Sequence, residues 1–320
     1  MRRTGLNIAA IAIAAAAPSG TSAQEPIGAA GPASSLAGTL IRPAEGKPIV
    51  VIIPGSGPTD RDGNSPLGVT AAPYRLLAEA LAARGIGSVR FDKRGMFGSR
   101  SDDVDPNAVT IAAYGDDVAS WVSAARSATG RECIWLLGHS EGGLVALAAA
   151  QRLSHLCGAI LVAAPGRKLA EVLREQLRAN PANAPLLPAA LPAIARLEAG
   201  ERVDVSAMPP VLQGLFAPQI QGFLIDLFGY DPAVLAAATT IPLLVIQGGN
   251  DLQVGVADAD ALRRAQPAAR YVLLPDMNHV LKDVPGGDPA ANAAAYGDPS
   301  RPVSRGLVDA VARFVTKEGR

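Results

Sequence analysis

Residues 134–150 read Ile134-Trp135-Leu136-Leu137-Gly138-His139-Ser140-Glu141-Gly142-Gly143-Leu144-Val145-Ala146-Leu147-Ala148-Ala149-Ala150. The first four are a short apolar run closed by glycine, which predicts a buried strand over 134–137. The stretch 142–153 is rich in alanine and leucine and predicts a helix. Between them stands Gly-x-Ser-x-Gly, centred on Ser140. A serine in so sharp a strand-to-helix turn is forced into a strained backbone, so its neighbours must be nearly free of side chains. The same turn lifts the hydroxyl above the sheet, where the helix N-terminus offers N–H groups to negative charge. An incidental serine in a glycine-rich turn needs neither the strand before nor the helix after.

Working outward, apolar strand-like runs alternate with amphipathic stretches. Strands are expected over 36–41, 49–53, 87–91, 159–163, 241–247 and 271–274, and helices over 74–84, 112–127, 258–265 and 303–316. Continuous apolar strands interleaved with helices imply an α/β fold: a mostly parallel central sheet buried by helices on both faces. The rhythm breaks at about 165–240, where proline-rich helices (168–178, 192–198, 218–228) follow one another without a strand. That reads as a helical cap insertion within one domain, 36–320.

A serine hydroxyl needs a base held by a third group. Of the three histidines, His139 adjoins the serine and would point elsewhere, and His155 falls at the far edge of the sheet. His279 follows the 271–274 strand at the C-terminal edge, where sites in parallel sheets gather. Asp251 stands on the loop after the 241–247 strand, giving the order Ser140, Asp251, His279. Asp276 and Asp283 remain alternatives for the acid. Two backbone N–H groups must meet a developing oxyanion. Glu141 supplies one, and the loop Pro54-Gly55-Ser56-Gly57-Pro58 supplies the other, from Ser56 or alternatively Gly55.

The chain has 320 residues, with 29 basic and 29 acidic side chains and no net charge, which gives no footprint for nucleic acid. No apolar run reaches the roughly 20 residues of a spanning helix, so a stable membrane span is not expected. Arg2 and Arg3, the apolar run 8–17 and Thr21-Ser22-Ala23 form a signal-peptide pattern over 1–23, with cleavage before Gln24 and export to the periplasm or medium. Residues 24–35 read as a flexible leader. Cys133 and Cys157 open two neighbouring parallel strands. They are either a disulfide, fitting an oxidising compartment, or two buried free thiols.

Pro54-Gly55-Ser56-Gly57-Pro58-Thr59-Asp60-Arg61-Asp62-Gly63-Asn64, Phe91-Asp92-Lys93-Arg94-Gly95 with Gly98-Ser99, and His139-Ser140-Glu141-Gly142-Gly143 together resemble the α/β-hydrolase superfamily. The resemblance is to its branch of bacterial carboxylesterases and serine aminopeptidase-like hydrolases. It implies the α/β-hydrolase fold with a helical cap and hydrolysis of small, short-chain carboxylic esters, with no metal or organic cofactor. The same triad serves peptidases, amidases and acyltransferases. That branch commonly carries an extra N-terminal domain, to which the resemblance, over residues 36–320, does not extend. Asp60, Arg61 and Asn64 either contact a polar substrate group or brace their own loop; Asp92 and Arg94 read as turn-bracing.

Overall fold

The structure, a computed structural model, describes residues 23–317. All but the last residue of the 1–23 signal-peptide pattern therefore lies outside the described residues. Eight strands form one sheet: β1 (Gln24–Ala29), β2 (Leu36–Ile41), β3 (Ile49–Ile53), β4 (Gly87–Phe91), β5 (Ile134–His139), β6 (Leu156–Val162), β7 (Leu243–Gly248) and β8 (Arg270–Leu274). Their order is β1-β2-β4-β3-β5-β6-β7-β8. β2 runs antiparallel to both β1 and β4, and every other pairing is parallel.

The central strands are buried on both faces, and their alternate side chains feed two cores. Ile49, Val51, Ile53, Ile134 and Leu136 join α2 (Ile111–Thr129), α3 (Glu141–Ala150) and α9 (Val256–Ala265) on one face. Val50, Ile52, Trp135 and Leu137 join α1 (Pro73–Ala82) and α11 (Arg305–Lys317) on the other. The wholly apolar runs read from the sequence are what a strand covered twice requires.

Between β6 and β7 lie α4 (Leu169–Ala179), α5 (Leu187–Glu198), α6 (Pro210–Leu215), α7 (Gln221–Gly229) and α8 (Pro232–Ala238). A seven-residue helix, α10 (Pro289–Ala295), precedes α11. Proline opens α6 and α8, where its missing N–H would lack an intrahelical acceptor anyway. The stretch Pro210–Gly229 is long and apolar enough in composition to cross a membrane. It is not one helix, however: a 3₁₀ turn at Pro218–Ile220 separates α6 from α7, and Leu212, Phe216, Leu227 and Phe228 are packed into the core.

Two features differ from, or add to, the sequence reading. Residues 24–35, expected to be a flexible leader, begin with β1, which pairs with β2 over six positions from Gln24↔Ile41 to Ala29↔Leu36. The Gly, Ala and Pro content that suggested flexibility is tolerated because β1 is an edge strand, where Pro26 forfeits no interior ladder bond. At the lower end of the sheet a disulfide joins Cys133, just before β5, to Cys157 in β6, with Cα atoms 5.2 Å apart.

Candidate active site

Ser140 sits between β5 and α3 with φ 54° and ψ −127°, a conformation that L-residues rarely adopt. Its neighbours explain how the chain closes so sharply. A Cβ on Gly138 would strike the Gly142 carbonyl, and one on Gly142 would strike the carbonyl of Ile53. The half-buried Ser140 side chain makes no hydrogen bond among the described residues.

The loops after β7 and β8 bring Asp251 and His279 together. His279 Nδ1 donates to Asp251 Oδ2 at 2.8 Å, with the carboxylate fully buried and the ring 7% exposed. Asp251 Oδ1 accepts the backbone N–H groups of Gln253 (2.8 Å) and Val254 (2.9 Å). One carboxylate oxygen is thus spent on its own loop and the other on the imidazole. This bonding fixes the Nδ1–H tautomer and leaves Nε2 as an acceptor. Asp276 and Asp283 instead offer backbone carbonyls, to Val284 and Arg301.

The loop carrying His279 is tied to the segment carrying Ser140 through His139. The His139 and His279 ring centroids are 4.8 Å apart. His139 Nε2 donates to the His279 carbonyl at 2.9 Å, which leaves His139 Nδ1 to accept from Tyr74 Oη at 2.7 Å. Tyr74 Oη in turn accepts the Gly55 N–H at 3.0 Å. One bonded chain therefore runs from the loop after β3 to the loop after β8. Burial pushes the His139 pKa down to about 3, the nearby His279 adds to this, and the ring stays neutral. Burial likewise raises the Tyr74 phenol well above its ordinary value.

The chain also separates the two candidate donors after β3. Gly55 lies against the serine, close enough that an added Cβ would stand 3.2 Å from Ser140 Cβ, but its N–H is committed to Tyr74. The Ser56 N–H donates to no acceptor among the described residues. Glu141 opens α3, where a helix leaves its N–H groups without intrahelical partners.

The charged loop residues are engaged with one another. Asp60 accepts from the Asp62 and Asn64 backbones at 2.9 and 2.8 Å, and Asn64 Oδ1 accepts from Ala72 N at 3.0 Å. Arg61 pairs with Asp92, Arg90 with Asp62, and Arg94 with Asp117. These contacts brace the loops after β3 and β4. Sequence reasoning passed over Lys93, whose buried side chain reaches both Gly55 and Glu141, and gave Tyr74 and His139 no task. Burial lowers the Lys93 pKa, and the Glu141 carboxylate opposes that shift.

A family model described as serine aminopeptidase, S33, matches residues 67–282. Esterase EstD of Thermotoga maritima is 28% identical over 277 residues, which make up 84% of this chain and 62% of that protein. The chain thus spans less than two thirds of that relative's length. A thermophilic esterase from Thermogutta terrifontis superposes with a TM-score of 0.55 at 19% identity, covering 93% of this chain and all of that one. An esterase of Pyrococcus furiosus does so with a TM-score of 0.57 at 14% identity, over 96% and 97% of the two chains. The strand order, the serine turn and the family match agree: the chain belongs to the S33 serine aminopeptidase family of the α/β-hydrolase superfamily.

Proposed function

We propose that the chain is a serine carboxylic ester hydrolase that cleaves small esters through an acyl-enzyme on Ser140. The observation that carries this reading is the Asp251–His279 hydrogen bond at 2.8 Å, on two separate loops above the same sheet edge as the strained serine. His279 Nε2 takes the Ser140 proton as Oγ attacks the ester carbonyl, and the buried Asp251 carboxylate stabilises the imidazolium that results. The N–H groups of Ser56 and Glu141 receive the tetrahedral oxyanion. His279 then returns the proton to the leaving alcohol, and water cleaves the acyl-serine by the same route. The open Ser140–His279 bond does not oppose this, since catalytic hydrogen bonds in unliganded enzymes often tighten only with substrate.

The preference for esters draws support from the name of the Thermotoga relative, and a peptidase reading from the description of the matched family. The five helices between β6 and β7 would cover the acyl group. Ser140→Ala is expected to abolish hydrolysis of short p-nitrophenyl esters and labelling by a fluorophosphonate, with the circular dichroism unchanged. Ester turnover that survives the substitution moves the nucleophile elsewhere. Parallel assays on aminoacyl anilides and on an acyl-length series of esters separate peptidase from esterase and define the acyl site. Export to an oxidising compartment is part of the proposal, supported by the 1–23 pattern and by the Cys133–Cys157 bond.

A further inference from the structure

Lys93 and Glu141 form a buried ion pair that the reaction just drawn does not use. Their side chains are 5% and 2% exposed, and the charged atoms stand 3.6 Å apart, too far for a hydrogen bond. Neither Glu141 oxygen has a hydrogen-bond partner among the described residues. What Lys93 Nζ does bond, at 2.8 Å, is the carbonyl oxygen of Gly55. That carbonyl shares a planar trans peptide with the N–H of Ser56, so the two point in opposite directions. Fixing one fixes the other.

The peptide before it is held as well, because the Gly55 N–H is on Tyr74 Oη at 3.0 Å. Lys93 therefore touches both sides of the place where an oxyanion would form. It reaches the peptide that presents Ser56 N–H and the side chain of the residue that presents the other N–H. Both side chains line one small buried cavity, together with Ile53, Pro54, Phe91, Tyr114, Asp117 and Val145. Lys93 Nζ also lies 5.4 Å from the Tyr114 ring centroid.

We propose that Lys93 is the positioning residue of the oxyanion hole: its ammonium orients the Ser56 N–H through the Gly55 carbonyl and holds the Glu141 carboxylate, which would repel an oxyanion, in an ion pair. The proposal rests on Ser140 being the nucleophile. A purely structural Lys93, present only to neutralise a buried glutamate, makes a different prediction, because removing both charges would then restore the enzyme.

The test compares wild type with Lys93→Met and with Lys93→Met combined with Glu141→Gln. It uses p-nitrophenyl acetate kinetics and inhibition by a trifluoromethyl ketone, whose serine adduct carries an oxyanion. For both variants kcat is expected to fall by at least ~10-fold and by no more than the ~100- to 1,000-fold that outright loss of one donor costs, while KM moves less than about threefold. Trifluoromethyl ketone affinity should weaken in parallel. Should the single variant not fold, the double variant, which buries no unpaired charge, decides alone. Wild-type kcat and inhibitor affinity in the double variant would overturn the proposal, as would a loss in KM alone. Wild-type protein that resists fluorophosphonate labelling defeats the hydrolase reading itself, whatever the Lys93 variants do.

Discussion

His139 is a polar ring inside the core whose two nitrogens are both used, one towards Tyr74 and one towards the His279 carbonyl. The groups facing it are Tyr74, His279 and Asp251. Because its pKa is pushed down to about 3, the folded protein keeps it neutral where an unfolded chain, with an imidazole near 6.5, takes up a proton. Below about pH 6.5 the unfolded state thus binds more protons, and this contribution to stability falls steadily as the pH drops towards about 3. Urea unfolding between pH 4 and 8 is expected to show the fall in wild type and a flatter dependence in His139→Asn. An unchanged slope in the variant would place the acid sensitivity on other groups. At this scale Ser140, Asp251 and His279 were legible because motif, strand ends and chain order name them without a contact. Lys93, Tyr74 and His139 were not, since each acts on a residue brought near only by folding. No local signal marked Lys93: β4 reads Gly87-Ser88-Val89-Arg90-Phe91, with an arginine of its own, and the lysine follows two residues later behind Asp92.

Among the elements, β5 ends at the serine turn and begins beside the disulfide. A bond that closes a loop over a sequence separation of 24 removes denatured-state freedom worth about 3 kcal/mol in the chain-entropy model. Cys133→Ser with Cys157→Ser is accordingly expected to lower the midpoint of thermal unfolding while leaving kcat for short esters within about twofold, because the bond and the serine lie at opposite ends of β5. A loss of kcat in a folded variant would mean that the lower edge of the sheet positions the chemistry. Most strands were readable here, their fully apolar runs having no other stable home. β1 was not. Its sequence, Gln24-Glu25-Pro26-Ile27-Gly28-Ala29, has little strand propensity, and pairing with β2 outweighs that local preference.

Across the whole molecule, the segments that follow β3, β4, β5, β7 and β8 supply every group assigned a part in the reaction, and Tyr74 on α1, His139 on β5 and Lys93 after β4 fasten those segments to one another. The same view constrains maturation. Gln24 pairs with Ile41 and bonds Arg90 and Glu79, so cleavage directly before it spares the edge strand entire, whereas a later cut would strip it. Protein recovered from an exporting host is expected to begin at Gln24 and to resist thiol alkylation until reduced, as Edman sequencing and mass spectrometry would read. An intact Met1 would show that no cleavage takes place and remove that part of the export proposal. The backbone at Ser140 has a last consequence. Glycine would sit more comfortably than serine at φ 54° and ψ −127°, so thermal robustness and reactivity pull in opposite directions there. A breeder selecting descendants only for surviving heat would be rewarded for an inert one.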